Sequence, residues 1–424
     1  MSEIIEEVRL ILSDVGQNSN KYWVGRLFDS NDVETEWGRV GVTKDSKLFP
    51  GKGKSFFDKK KNEKLKKGYT ELRTVASGTT KTQTVSQGNL QDIARKQIQT
   101  TKPQLQKLID RLVAANVHQI TSNTQIKYDA GTGLFTTPLG IVTLDAIQEA
   151  RDFLVDIQPF IKKGDHANKK LFELTGKYLR LVPQNVGMKL DTRTLFPDDD
   201  SLKKQSDLLD SLESSYKALQ STPAKDDSQG ISEEKVFDVS LDVVEDQREV
   251  DRINKFYRST ANGSHASYRL GIVKVYKLQL KQMAEGFETG KKAGNIQELW
   301  HGTKKANLLS ILKSGLRVSP PNTAAIAGKM FGNGIYFSDQ STKSLNYAYG
   351  YWDGKYEKDC FMLLSDVAMG KSYTPSAYGD RHSLPRPGYD STFAKGGQSG
   401  VSNNEMIVYR DNQVNIKYLV EFKE

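Results

Sequence analysis

The sequence predicts a multidomain α+β protein, with a small β-rich unit, then an all-α helical bundle, then an α+β unit. Its 424 residues are enough for two or three domains. Strand-like patterns occur near both ends, whereas the middle of the chain repeats apolar residues at the three- and four-residue spacing that is typical of helices. Two polar stretches, residues 75–87 and 221–234, separate the three regions and indicate linkers.

The composition argues against several other classes of protein. The sequence contains no run of eighteen apolar residues, so we expect neither a membrane-spanning helix nor a membrane partner. Its acidic start has no apolar signal region. The single cysteine, Cys360, excludes an intramolecular disulfide and a cysteine-rich zinc site, so we expect an intracellular protein without a metal. The formal net charge of +9 favours a polyanionic partner.

The amino-terminal region combines strand patterns with positive charge. Tyr22–Phe28 and Glu36–Val42 have the composition of strands, with a loop over residues 29–35. Between Trp37 and Lys81 the chain carries thirteen Lys or Arg but only four Asp or Glu. The net charge of this segment, +9, equals the formal net charge of the whole chain. A run of lysines is often no more than the solvated face of a helix, so the charge alone leaves nucleic-acid binding as one of two interpretations.

The middle region, residues 88–222, indicates a helical bundle. Two series of apolar residues follow helical spacing there, and the region has no cluster of catalytic residue types. The series are Leu144, Ile147, Leu154, Ile157 and Ile161, and Leu202, Leu209, Leu212, Tyr216 and Leu219.

The stretch from Leu299 to Tyr349 carries most of the candidate chemistry. It predicts a strand ending at His301-Gly302, a glycine turn at Gly332-Asn333-Gly334, and a helix that places Ser344 and Tyr347 on one face. A pocket with aromatic walls, a histidine and a hydroxyl suits a flat heteroaromatic ring and ribose hydroxyls. A packed core with aromatic filler explains the same composition, so both interpretations stay open at this point.

Six segments of the carboxy-terminal region match one known signature in the same order. Taken together, they resemble the catalytic signature of the poly(ADP-ribose) polymerases, and such a series is far more specific than a single glycine motif. The segments are LWHG at 299–302, GLRVSPP at 315–321, MFGNGIYF at 330–337, TKSLNY at 342–347, NEMIVY at 404–409 and QVNIKYL at 413–419.

The rest of the chain resembles the domains that precede this catalytic domain in DNA-dependent members of the family. NSNKY at 18–22 and WGRVG at 37–41 resemble a WGR domain, and PLG at 138–140 resembles part of the helical regulatory domain. The resemblance therefore implies a WGR DNA-binding domain at 1–82, a helical, autoinhibitory regulatory domain at 88–222, and an ADP-ribosyltransferase domain built on antiparallel sheets at 230–424.

The resemblance implies a transferase that is activated by DNA breaks. It would use NAD+ as substrate, transfer ADP-ribose to proteins including itself, and elongate poly(ADP-ribose) in DNA repair. An accessory factor that completes the acceptor site is a further expected partner. The expected compartment is the nucleus in a eukaryote, or the cytoplasm or nucleoid in a bacterium. Two alternatives stay open, a mono-ADP-ribosyltransferase and a DNA-end binding protein with an inactive transferase fold.

The resemblance also assigns roles to individual residues. His301 would orient the ribose, and Glu405 would bind a ribose hydroxyl and polarise the acceptor. Two departures, Lys329 and Asn333, bear on affinity or elongation. The implied catalytic residues are His301, Tyr336 and Glu405; the implied cofactor-binding residues are His301, Gly302, Arg317, Tyr336, Ser344 and Tyr347; the implied DNA-binding residues are Trp37 and Arg39.

Overall fold

The computed structural model describes residues 2–75, 90–124, 127–129, 134–220, 237–318, 330–354, 356–376 and 384–424. These residues form two compact units. The first unit comprises the described residues up to 75 and those from 120 to 220. The second unit comprises those from 90 to 119 and those from 237 onwards. The domain boundaries 1–82, 88–222 and 230–424 stay predictions. Both linkers apart from Val75, and also Lys329, lie outside the described residues.

Residues 4–71 contain an antiparallel five-stranded sheet in the order β4-β3-β2-β1-β5, covered by one helix. Strand β3 begins three residues earlier than the sequence predicts. Asn31 adopts a positive φ of 64°, which lets a tight turn close directly after Phe28. The elements are β1 Ile4–Asp14, β2 Ser19–Phe28, β3 Val33–Arg39, β4 Asp45–Phe49, α1 Gly53–Leu65, β5 Thr70–Glu71 and β6 Thr74–Val75.

The middle of the chain is mainly helical, as the apolar spacing predicts. Ile147, Leu154 and Ile157 are buried. The short pairs β8–β9 and β6–β10 are additions that the sequence pattern does not indicate. The elements are α2 Leu90–Gln97, β7 Ile98–Gln99, α3 Gln106–Thr124, β8 Lys127–Asp129, β9 Leu134–Thr136, β10 Ile141–Val142, α4 Leu144–Lys162, α5 Lys169–Leu181, α6 Thr192–Leu195 and α7 Asp199–Gln220.

The carboxy-terminal region alternates strands and helices, which confirms the predicted α+β class. Three of its strands, β12, β15 and β19, have ten residues each, and most residues of β15 and β19 are buried. The elements are β11 Val239–Val243, α8 Gln247–Ser259, β12 Gly271–Leu280, α9 Lys281–Gly290, β13 Ile296–Gly302, α10 Leu308–Ser314, β14 Ile335–Phe337, α11 Ser341–Tyr349, β15 Asp359–Ala368, β16 Ser372–Tyr373, β17 Ser391–Ala394, β18 Glu405–Val408 and β19 Val414–Lys423.

Two sheets organise this region. The larger has the order β13-β15-β19-β12-β11-β7 and the smaller has the order β14-β18-β17-β16. Both are antiparallel except at one edge, where β7 runs parallel to β11 and β16 runs parallel to β17. Backbone hydrogen bonds between Trp300 and Ser338, at 3.1 and 3.0 Å, join the tip of β13 to the end of β14. The sheets therefore meet where the predicted catalytic residues lie.

The segment from α2 to α3 belongs to the second unit, although the sequence resemblance assigns it to the regulatory domain. Ile98 and Leu112 are buried in the same core as Leu299 and Leu363. Arg111 on α3 forms an ion pair with the buried Glu421, at 3.1 Å, and a second one with Asp359. Residues 90–119 are thus part of the structure that supports β13 and β15.

This packing predicts the stability of truncated chains. A chain that begins at residue 230 lacks β7 and the apolar face of α3, so it exposes the core that Ile98 and Leu112 cover. We expect it to lose about 5 kcal/mol of unfolding free energy, or on the order of 10 °C in Tm, relative to a chain that begins at residue 88. Thermal unfolding of both chains measures the difference, and equal Tm values would contradict this role for residues 90–119.

Candidate functional site

The structure brings together the three predicted catalytic residues and the helix beside them. His301 is near the end of β13, Tyr336 is the middle residue of β14 and Glu405 begins β18. Strand β14 pairs with β18. Helix α11, which carries Ser344 and Tyr347, lies against β13. The predicted strand, glycine turn and helix of this stretch are therefore all present.

The hydrogen bond of His301 fixes which of its two nitrogens carries the proton. Nδ1 lies 2.8 Å from the Tyr336 carbonyl oxygen, which can only accept a hydrogen bond. The proton therefore sits on Nδ1, and Nε2 keeps its lone pair. Burial lowers the pKa of His301, although the Tyr336 carbonyl acts in the opposite direction. The ring is thus a neutral acceptor, suited to a hydroxyl of a ligand.

Tyr336 contributes its ring rather than its hydroxyl. The hydroxyl donates to Gly332 O at 2.8 Å and accepts from Phe331 N at 2.9 Å, so it is fixed within the glycine turn. Burial raises the pKa of Tyr336 far above its ordinary value, and the charge of Glu405 adds to the shift. A phenol with so high a pKa does not act as a base, but its fixed ring can form the wall of a pocket.

Tyr347 supplies a second aromatic surface. Its side chain is 39% exposed, which leaves the ring open to contact. Burial raises the pKa of Tyr347 to about 12, and the negative charge of Glu405 contributes in the same direction. The charge of Glu405 therefore acts on the pKa of both Tyr336 and Tyr347.

Glu405 is buried and uses only one of its two carboxylate oxygens. Oε1 accepts from Lys343 Nζ at 2.8 Å. Oε2 is buried and has no hydrogen-bond partner among the described residues. An unsatisfied buried oxygen is costly, so the site is arranged to receive a donor at that position.

Lys343 is a further residue of the site, and the sequence motifs assign it no role. Its Nζ donates to Glu405 Oε1 and, at 3.0 Å, to Asn404 O. Burial lowers the pKa of Lys343, while the charge of Glu405 opposes that effect. The available signal was its place one helical turn before Tyr347, which puts both on one side of α11. Lys343 holds the carboxylate of Glu405 in a fixed orientation.

Gly302 and Ser344 form the base of the site. Ser344 Oγ donates to Trp300 O at 3.0 Å, so its lone pairs are available to accept a hydrogen bond from an amide. A Cβ added to Gly302 would lie only 1.7 Å from Ser344 O. Only glycine allows β13 and α11 to approach so closely.

Arg317 and Asn333 lie at the margin of this constellation. Arg317 is exposed just after α10, and its Nε donates to Ser314 O at 3.1 Å. Asn333 lies between Gly332 and Gly334 in the turn that holds the Tyr336 hydroxyl. The cofactor-binding role of Arg317 stays a prediction.

The predicted DNA-binding pair lies on β3 in the first unit. Trp37 is partly buried and packs against the core that contains Trp23 and Phe57. Arg39 is 9% exposed, and its guanidinium donates to Gly187 O at 2.6 Å, to Asn18 O at 2.9 Å and to Asn18 Oδ1 at 3.0 Å. The chain's own oxygens therefore occupy much of the donor capacity of Arg39. DNA contact by either residue stays a prediction.

The part of the chain that the structure describes has neither a cluster of metal ligands nor a helix that could span a membrane. Within it, no group of three or more His, Cys, Asp or Glu side chains is arranged to hold a metal ion. None of its helices is both long enough and apolar enough to cross a membrane.

Comparison with known families gives three matches that cover most of the chain. The sequence model of the WGR domain matches residues 6–75. That of the poly(ADP-ribose) polymerase regulatory domain matches residues 99–234, and that of the poly(ADP-ribose) polymerase catalytic domain matches residues 247–424. The three matches follow the order that the sequence resemblance implies.

Individual relatives give a consistent result. The chain is 26% identical to poly [ADP-ribose] polymerase 2 of Zea mays, over 98% of this chain and 70% of the relative. It is also 26% identical to poly [ADP-ribose] polymerase 1 of Danio rerio and to poly [ADP-ribose] polymerase of Drosophila melanogaster. The alignments cover 99% and 98% of this chain, but 45% and 46% of those two longer proteins.

Proposed function

Because the chain belongs to the poly(ADP-ribose) polymerase family, we propose that it transfers ADP-ribose from NAD+ to proteins and extends the product into poly(ADP-ribose). The observation that carries this proposal is the buried Oε2 of Glu405, which has no hydrogen-bond partner among the described residues, in the same site as the neutral ring of His301 and the fixed ring of Tyr336. Two hydrogen-bond acceptors beside aromatic walls fit the vicinal hydroxyls and flat base of a nicotinamide riboside.

Each residue of the site has a role in binding NAD+. His301 Nε2 accepts from one ribose hydroxyl, since the hydrogen bond to the Tyr336 carbonyl holds the proton on Nδ1. Tyr336 and Tyr347 place their rings against the nicotinamide. Ser344 Oγ accepts from the carboxamide N–H, and the backbone of Gly302 lines the same position. These contacts orient the bond that is to break.

NAD+ supplies a carbon–nitrogen bond from ribose to a cationic nicotinamide, and this bond breaks as the acceptor attacks the ribose. Positive charge then develops on the sugar, as in glycoside cleavage. The Glu405 carboxylate stabilises that charge and accepts a hydrogen bond from the attacking hydroxyl. Lys343 keeps Glu405 in place through Oε1, which leaves Oε2 for this task.

DNA strand breaks are the second partner in this proposal. The support is the match to the WGR domain and the basic segment between Trp37 and Lys81. We place Trp37 and Arg39 at the DNA, with the helical region acting as a restraint that DNA relieves.

The nucleus is the compartment we propose, since the three compared relatives come from a plant and two animals. An accessory protein that completes the acceptor site belongs to the same proposal.

The direct test is incubation with labelled NAD+, with and without short nicked duplex DNA, followed by gel electrophoresis. A ladder that strengthens with DNA supports the proposal. One sharp band indicates a mono-ADP-ribosyltransferase instead. DNA binding without any label indicates a DNA-end binding protein with an inactive transferase fold.

The role of DNA gives a prediction for Arg39. Arg39→Ala should lower DNA-stimulated turnover by about tenfold, because a phosphate contact by a guanidinium is lost. Binding of the unmodified protein to broken duplex should also weaken steeply with salt. The control is Lys177→Ala, which removes a positive charge on α5 that pairs with Glu173. Fluorescence anisotropy and turnover are measured together, and unchanged stimulation in a correctly folded Arg39→Ala protein would remove Arg39 from the DNA site.

A further inference from the structure

A short turn after α11 brings three aromatic rings together at the surface. Helix α11 ends at Tyr349, and Gly350 follows it with a φ of 86°. One 3₁₀ turn over Tyr351–Asp353 comes next, and Gly354 ends it with a φ of 66°. Glycine adopts these two positive φ values at no steric cost, so the chain can reverse its direction here. The reversal brings the rings of the turn next to an exposed ring of α11.

Trp352 is the central ring of this aromatic cluster. Its ring centroid is 6.0 Å from that of Tyr347, at an interplanar angle of 44°, and 5.0 Å from that of Tyr351, at 78°. Both distances are in the range of favourable aromatic pairs. Trp352 is 66% exposed, so its burial contributes little to the stability of the fold. The main effect of Trp352 is therefore on the rings that it contacts.

The two rings that we place against nicotinamide are held in different ways. The Tyr336 hydroxyl donates to Gly332 O at 2.8 Å and accepts from Phe331 N at 2.9 Å. The Tyr347 hydroxyl has no hydrogen-bond partner among the described residues. Of the aromatic rings in the described part of the chain, only that of Trp352 pairs with the Tyr347 ring. The orientation of the Tyr347 ring therefore depends on Trp352.

We propose that Trp352 is a positioning residue of the NAD+ site, which holds the Tyr347 ring in the orientation that stacks on nicotinamide. The ring is then fixed before the ligand binds, so less side-chain freedom is lost on binding. His301 and Glu405 keep their own hydrogen bonds, so the effect falls on binding rather than on the chemical step. This inference rests on the proposed function, in which Tyr347 contacts nicotinamide.

The test measures the Kd of nicotinamide and of NAD+ by calorimetry with the full chain, because binding needs no turnover. Trp352→Ala should weaken the binding of both ligands by about fivefold, as expected for the loss of one aromatic pair. Trp352→Phe keeps a ring at this position and should stay within about twofold of the unmodified protein. In steady-state kinetics, Trp352→Ala should raise the KM for NAD+ and leave kcat within about twofold.

A double-mutant cycle shows whether Trp352 acts through Tyr347. In a Tyr347→Ala background, Trp352→Ala should not change the Kd of nicotinamide further, because the ring that it orients is absent. A further loss of about fivefold in that background would mean that Trp352 contacts the ligand itself or acts by another route. That result would overturn the positioning role.

The control is Tyr356→Ala, which removes another surface ring from the same segment. Tyr356 is 58% exposed and pairs with Tyr349 at 4.9 Å, so its removal should leave both Kd values unchanged. A Trp352→Ala protein with a lower Tm but unchanged Kd values would show a purely structural role and overturn the inference.

The same measurements separate this inference from the proposed function. If the unmodified protein binds nicotinamide and NAD+ but transfers no ADP-ribose, the proposed function fails, and the Kd values alone decide the role of Trp352. If ADP-ribose is transferred and Trp352→Ala binds both ligands normally, only the positioning role fails. A protein that binds neither ligand would overturn both.

Discussion

Glu405→Gln should fold and bind NAD+ but lose on the order of 100-fold or more of its elongation rate. Lys343 Nζ lies 2.8 Å from Glu405 Oε1. In the variant, the amide oxygen of the glutamine must face this ammonium group, because only the oxygen can accept its hydrogen bond. The N–H₂ group then occupies the position of the unpartnered Oε2. A hydrogen-bond acceptor with negative charge is replaced by a donor without charge, at the place where a hydroxyl is to be polarised.

The control separates catalysis from stability, since Glu405 also forms a buried ion pair. Breaking such a pair from one side costs about 3–5 kcal/mol when it leaves a charge uncompensated. Glutamine still accepts from Lys343, so we expect a smaller loss and a protein that melts above the assay temperature. If Glu405 served only to pair with Lys343, the Tm would fall and the product length would stay unchanged.

Gly302→Ala should abolish efficient use of NAD+ by displacing the base of the site. The new Cβ would lie 1.7 Å from Ser344 O, and both are held by backbone, so no rotamer change relieves the contact. The end of β13 and α11 must separate, which moves His301 and Ser344. A displacement of about 1 Å can cost on the order of 100-fold in rate, and overpacking of this kind costs about 1–3 kcal/mol.

The matched control for this prediction is Gly286→Ala on α9. There the nearest atom to an added Cβ is Asn412 Cβ at 3.6 Å, an ordinary contact. Alanine also favours a helix over glycine, so this variant should be neutral or slightly stabilising. Steady-state KM for NAD+ and Tm are measured for both variants. A Gly302→Ala enzyme with unchanged KM and Tm would contradict the close approach of β13 and α11.

The local structure of the site could be predicted from the sequence because its signals are short-range. The glycine turn before Tyr336 and the spacing of Ser344 and Tyr347 on one helix face both follow from neighbouring residues. The structure confirms these elements. The roles of His301, Tyr336 and Glu405 came from the family resemblance, and they stay predictions that the geometry supports.

The long-range contacts could not be predicted in the same way. Lys343 meets Glu405, 62 residues away in the sequence, because β18 pairs with β14, and such a pairing leaves no local pattern. Ile98 joins the core of the second unit through a two-residue strand beside β11, which is too short to give a period. The WGR resemblance assigns Arg39 to DNA binding, but it gives no sign that the folded chain engages this guanidinium with its own carbonyl oxygens.

We propose that the formation of polymer from NAD+ in this site depends on Glu405. The most direct measurement is the length distribution of labelled product from the unmodified enzyme and from Glu405→Gln, both with nicked DNA. The two proteins are compared at the same fraction of enzyme with NAD+ bound, and at a temperature below the Tm of each. We expect a long ladder from the unmodified enzyme and single ADP-ribose units or short products from the variant. The same ladder from both proteins would contradict it.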